Sequence, residues 1–166
     1  MSEQGIAWFN SLSPQEAEDE LYACFADRGW AARVAALRPF RDADALAAVG
    51  EREMPSVVEA EIWERIIESH PRIGERGGHA PAKSEKEQSA LRDASPETLA
   101  ALAAENRRYE ERFGHAFIIA AAGRTAEEIL RVLRVRIKLD PGNELVEEIE
   151  ELHAITEHRL RALVER

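Results

Sequence analysis

The stretch Glu68-Ser-His-Pro-Arg-Ile-Gly74 divides the chain, and its reading decides the fold. A histidine directly before a proline sits where a helix must stop, because proline lacks an amide proton and disfavours the helical conformation of its predecessor. His70 therefore projects from an extended residue at a helix exit. Such a pair is either loop punctuation or the placement of a side chain that exchanges protons near neutral pH. What precedes it reads as helices. Ser13-Pro14-Gln15-Glu16 has the pattern of a helix start: an N-cap serine, proline at the first helical position and glutamate three residues after the cap. Ala17, Leu21, Cys24 and Phe25 follow at helical spacing, which places Cys24 in the core. Gly29 closes that helix, Trp30 to Leu37 forms a second, and Asp42 opens a third with Leu46 and Val49 inward. Pro55-Ser56 begins a fourth, whose apolar stripe Val58, Ile62 and Ile66 leads into His70.

Beyond His70, residues 71–83 carry three glycines and two prolines and read as the longest irregular stretch. Ser84-Glu85-Lys86-Glu87-Gln88 opens another helix. Ser95-Pro96-Glu97 opens a longer one, with Asn106 and Tyr109 on its inner side and Gly114 as its stop. Residues 116–122, Ala-Phe-Ile-Ile-Ala-Ala-Ala, have the length of a buried extended segment, although periodicity alone leaves a helical turn open. Thr125-Ala126-Glu127-Glu128 is a second capping box, with a helix to about Lys138. After a turn at Asp140-Pro141-Gly142-Asn143 the last helix runs from Glu144 almost to Arg166. The expectation is an all-α protein of seven or eight helices, one domain over residues 1–166.

Composition sets limits on function. Hydrophobic residues make up 45% and charged residues 33% of the 166, a globular balance. The net charge of −10 disfavours a nucleic-acid partner, which needs a basic face. Cys24 is the single cysteine, so no internal disulfide forms and a reducing compartment is expected. No apolar run has the length of a membrane span, and neither end carries a secretion or peroxisomal signal. The expected location is the cytoplasm. His79, His115, His153 and His158 show no recognised metal spacing, so no metal site is expected.

Two polar features stand out. Ser84-x-x-Glu87 is either a capping box or a helix N-terminus that presents amides and side chains to a ligand. Arg159 lies on a stripe with Leu145, Ile149, Leu152, Thr156 and Leu163. There it must snorkel, pair with a buried acid or bind a ligand carboxylate. Arg124, just ahead of a helix, reads as a solvated loop residue.

Taken in order, His-Pro-Arg-Ile-Gly (70–74), Ser-x-x-Glu-Gln (84–88) and Asn106-x-x-Tyr109-x-x-Arg112-Phe113-Gly114 begin a recognisable series. Phe117-Ile118-Ile119, Gly-Arg-Thr (123–125) and Arg159-Leu160 complete it, and the whole resembles the OHCU decarboxylases. Phe9-Asn10, Trp30 and Arg38-Pro39-Phe40 extend the resemblance to nearly the whole chain. Those carboxy-lyases convert 2-oxo-4-hydroxy-4-carboxy-5-ureidoimidazoline (OHCU) to (S)-allantoin and CO2, the last step from urate to allantoin. The resemblance implies an all-α protein, often dimeric, that acts on a small ureidoimidazoline without metal or organic cofactor. It makes His70 the proton donor, Glu87 an important acid and Arg159 an active-site cation. It makes Pro71, the segment Ser84, Glu85, Lys86, Glu87 and Gln88, and the backbone of Phe117, Ile118, Ile119, Ala120 and Ala121 the substrate contacts. The sequence departs from the family pattern in a shorter Ser89-Ala90-Leu91 after Gln88, in Lys83 where many members have an aromatic residue, and in Ala122 where some have arginine. These positions bear on substrate breadth; none removes a residue with a chemical role.

Overall fold

The computed structural model describes residues 2–75 and 78–165. Their regular structure is all helical, in the order α1 (Ser2–Ser11), α2 (Pro14–Cys24), α3 (Arg28–Ala36), α4 (Ala43–Arg52), α5 (Ala60–Glu68), α6 (Pro81–Glu87), a 3-10 turn (Ser89–Asp93), α7 (Pro96–Phe113), α8 (Ala126–Arg136) and α9 (Pro141–Leu163). The expected all-α class holds. Two compact units divide the chain, one formed by residues up to Ile66 together with those from His153 onward, the other by residues 67–152.

Local chemistry places most helix ends. Ser13 and Thr125 form reciprocal capping boxes with Glu16 and Glu128, and Ser95 caps α7 through the Thr98 amide. Gly114 ends α7 in the left-handed conformation, at φ 79°, where a side chain is strained. Other boundaries differ from expectation. Asp27, not Gly29, marks the start of α3: its carboxylate accepts from the Trp30 amide, and Gly29 lies within the first turn. α9 begins at Pro141 because Asp140 accepts from the Asn143 amide and so acts as its N-cap. α5 starts at Ala60, leaving Val58 82% exposed; the buried face is Trp63, Ile66 and Ile67. α1 was not anticipated. It is short for an isolated helix and has an internal glycine. It is held by burial of Ile6 and Phe9 and by a close approach at Gly5, where a Cβ would lie 1.9 Å from the Val164 carbonyl oxygen.

The first unit packs around Phe25, whose ring meets Trp30 and Trp63 edge-on at 5.1 and 5.8 Å. Trp63 in turn stacks on His153 at 5.9 Å. The Trp30 indole donates to the Gly50 carbonyl at 2.8 Å, so the buried ring leaves no polar atom unsatisfied. Two sequence motifs pair here: Asn10 and Phe40 exchange side-chain and backbone hydrogen bonds at 2.8 and 2.9 Å. Arg38 donates to the carbonyls of Phe9, Leu12 and Ala35. The core of the second unit consists of Leu91, Leu102, Phe117, Ile119, Ile129 and Leu133 with the ring of Tyr109. No helix of the described residues is long and apolar enough to cross a membrane.

Candidate active site

α5 ends at Glu68, and His70 follows as the sequence requires, its amide bonded to the Ile67 carbonyl at 3.2 Å. The imidazole is half-buried. Ser69 Oγ lies 3.3 Å from its Nδ1, and the His79 ring stands edge-on to it at 5.0 Å. The chain returns to this point after the glycine-rich loop, of which Arg76 and Gly77 lie outside the described residues. The His79 amide donates to the Ser69 carbonyl at 2.9 Å. Gly78 makes that return fit. Its φ is +78°, and a Cβ there would lie 2.7 Å from both Pro71 Cδ and the Ser69 carbonyl oxygen. On the outgoing side Arg72 pairs with Glu110, the Ile73 carbonyl accepts a long 3.5 Å bond from Asn106, and the Gly74 amide donates to Gln88 Oε1 at 2.8 Å. Asn106 and Gln88 thus hold the backbone that leaves His70.

Ser84 is not a helix start. α6 begins three residues earlier, where Pro81 supplies a fixed φ and lacks the amide that a first turn leaves unbonded. The Ser84 amide bonds to the Ala80 carbonyl at 3.0 Å, and its side chain is buried mid-helix. Both readings of Ser84-x-x-Glu87 as an N-terminus are corrected by that one bond. Glu87 closes α6 half-buried, while Glu85 and Lys86 face outward. The shorter segment after Gln88 is the 3-10 turn.

Residues 116–121 form neither helix nor strand, and Phe117, Ile118, Ile119 and Ala121 are buried. Side chains satisfy their backbone. The Ile118 amide donates to Glu148 Oε1 and the Ala120 amide to Glu151 Oε2, both at 2.8 Å, while Arg136 Nη1 donates to the Ile118 carbonyl at 2.7 Å. Amides two apart that face one helix have the periodicity of extended backbone. Arg136 also grips Glu144, with Nε and Nη2 2.9 and 2.5 Å from Oε1, and lies over the Phe117 ring. The Tyr109 hydroxyl donates to Glu144 at 2.5 Å and reaches Glu148 at 3.3 Å. His115 Nδ1 is 2.6 Å from Glu148 Oε2.

Burial drives the Tyr109 hydroxyl well above its ordinary pKa, and the Glu148 charge adds to it, so the phenol stays a donor. Burial also raises Glu148, while its bond to His115 opposes that rise. The same bond lifts the His115 imidazole above its ordinary value. Arg136 pays desolvation, which the bond to Glu144 and the surrounding carboxylates outweigh, so its pKa is raised. Sequence reading missed Arg136, Glu144 and Glu148. Glutamates in a long helix and an arginine in a helix's last turn have the signature of solvated positions. The available signal was that Glu148 and Glu144 sit four and eight residues before Leu152, on its side of α9.

Arg159 is 2% exposed beside buried Thr156, which excludes snorkelling to water and leaves pairing or ligand binding. It lies on the part of α9 that belongs to the first unit. Leu145, expected on the same stripe, is only partly buried. Arg124 is not simply solvated: its guanidinium lies 3.7 Å from Glu151. No group of three or more potential metal ligands occurs among the described residues.

The all-α scaffold is shared with a decarboxylase of known structure. The crystal structure of OHCU decarboxylase in the presence of (S)-allantoin superposes with a TM-score of 0.73 at 27% identity, over 89% of this chain and 99% of that one. The chain belongs to the OHCU decarboxylase family, whose model matches residues 10–161. The 2-oxo-4-hydroxy-4-carboxy-5-ureidoimidazoline decarboxylase of Haloferax volcanii is 27% identical over 165 residues, with 96% of each protein covered. The uric acid degradation bifunctional protein PucL of Bacillus subtilis is 29% identical over 163 residues, covering 93% of this chain; the chain spans about a third (32%) of PucL's length.

Proposed function

We propose that this chain decarboxylates OHCU to (S)-allantoin and CO2. The observation that carries the reading is the backbone of residues 117–121. Amides 118 and 120 are taken by Glu148 and Glu151, so alternation along extended backbone turns the amides of Ile119 and Ala121 to the opposite side. Backbone amides on that side, not taken by Glu148 or Glu151, suit developing negative charge on a bound substrate. The bond to the substrate carboxylate breaks, and its electron pair passes into the adjoining imine and carbonyl system. The ring is its own electron sink, so no external one is required. CO2 leaves, and His70 delivers a proton to one face of the carbanionic carbon and is reprotonated from water.

In this reading Pro71 and the residues Ser84, Glu85, Lys86, Glu87 and Gln88 hold the substrate, with Glu87 orienting His70 or the substrate hydroxyl. Arg159 stabilises substrate negative charge, on the strength of its motif and its burial. The test is to generate OHCU from urate with urate oxidase and hydroxyisourate hydrolase and to follow ultraviolet absorbance and circular dichroism. The wild type accelerates decay and yields one allantoin hand, while His70→Asn, with unchanged helicity, loses turnover. Decay at the spontaneous rate to a racemic product with wild type overturns the reading.

A further inference from the structure

The buried cluster beneath residues 117–121 has an uneven charge. Arg136 contributes one positive charge, and Glu144 and Glu148 contribute two negative ones, with both carboxylates fully buried. Tyr109 adds a donor but no charge. His115 is the member that reaches water, 26% exposed at its side chain, and its Nδ1 faces Glu148 at 2.6 Å and the Ala116 carbonyl at 3.3 Å. Phe113 stacks on the His115 ring and Tyr109 meets it edge-on. The titratable groups around His115 are therefore Tyr109 from α7 and Glu144 and Glu148 from α9, with Arg136 of α8 paired to both carboxylates. Protonated His115 brings the cluster to neutrality; neutral His115 leaves one uncompensated buried charge.

Ile118 is held at both polar atoms, its amide by Glu148 and its carbonyl by Arg136. We propose that Glu148 and Arg136 are positioning residues for the segment 117–121, and that the protonation of His115 sets how firmly they clamp it. This rests on that segment being where substrate binds, and it adds a coupled pair at one remove from the substrate. Neutral His115 leaves Glu148 facing Glu144 with a single cation between them. The Ile118 amide and its neighbours then lose a fixed direction, and substrate affinity falls before chemistry does. The bond to Glu148 raises the His115 imidazole above its ordinary value, against the burial that lowers it.

His115→Gln is the variant of choice, because a glutamine amide can still donate to Glu148 but does not titrate, and the half-buried site tolerates it. Two measurements are made on wild type and variant across the imidazole titration. One is the amide shift of Ile118 by nitrogen-15 NMR; the other is the pH profile of KM and kcat on OHCU. In wild type the Ile118 amide moves with the His115 ring, and KM rises about tenfold on the alkaline side, the factor that one charge-assisted hydrogen bond carries. The pH profile of kcat is the same in both proteins. In His115→Gln the Ile118 amide and KM stay flat. An Ile118 amide that ignores the His115 titration overturns the clamp. A titrating amide with identical KM profiles in the two proteins overturns its role in binding. Wild type without any acceleration of OHCU decay overturns the proposed function, and with it the purpose of the clamp, while the NMR result still decides whether His115 and Ile118 are coupled.

Discussion

Gly78→Ala separates the backbone around His70 from the stability of the fold, with Gly74→Ala as its control. Both glycines have positive φ, +78° and +89°, so alanine at either costs about 1–2 kcal/mol of left-handed strain. At Gly74 nothing lies within 4 Å of the new Cβ. At Gly78 the Cβ would be 2.7 Å from Pro71 Cδ and from the Ser69 carbonyl oxygen, about 0.7 Å inside the 3.4 Å at which ordinary contact begins. Those atoms belong to the residues on either side of His70. They are backbone and a proline ring, so relief comes from moving the chain and not from turning a side chain. A displacement approaching 1 Å at a catalytic group costs on the order of a hundredfold in rate. Thermal unfolding followed at the helical circular dichroism band should show similar losses for both variants, about 2–8 °C for the shared strain. Steady-state kinetics on enzymatically generated OHCU should show kcat within about twofold of wild type for Gly74→Ala. For Gly78→Ala it should be about 10- to 100-fold lower. Equal kcat values for the two variants at equal melting temperature refute the argument that Gly78 sets the position of His70.

Tyr109→Phe removes a donor to two buried carboxylates and should cost about 2 kcal/mol, read as a melting temperature about 4–8 °C lower; a loss within error means water replaces the hydroxyl. Arg159→Lys keeps the charge but not the planar fork, so kcat/KM should fall at least about tenfold with little change in melting temperature. Unchanged kcat/KM removes Arg159 from the site. The stability contributed by His115 follows from the sign of its shift: its pKa is raised in the folded state, so the contribution is complete below the ordinary imidazole value and is lost as pH rises through the raised one. Denaturant unfolding across that range should show wild type losing stability relative to His115→Gln as pH rises, and parallel curves refute it.

Much of this protein could be read before any coordinates. Helix starts at Ser13, Ser95 and Thr125 and the stop at Gly114 depend on residues a few positions apart, and each functions as its local chemistry dictates. The exit at His70 is equally local, since Pro71 alone enforces it. Inward positions of Cys24, Asn106, Tyr109 and Arg159 followed from helical periodicity. Periodicity failed where short-range signals compete: Pro81 outranked Ser84 as a helix start, and the irregular turn at 56–59 left Val58 in solvent.

The amino-acid sequence by itself determined the all-α class, most helix ends and the order of the family motifs, because capping, proline and helical repeat act over a single turn. Tertiary structure alone decided that Glu144, Glu148 and Arg136 are buried, that their side chains satisfy the backbone of residues 117–121, and that His79 stands beside His70. A charged residue reads as solvated until its partner is found, and these partners stand 18 and 30 residues away along the chain. Only folding brings such groups within hydrogen-bond distance, which makes burial of the charge affordable.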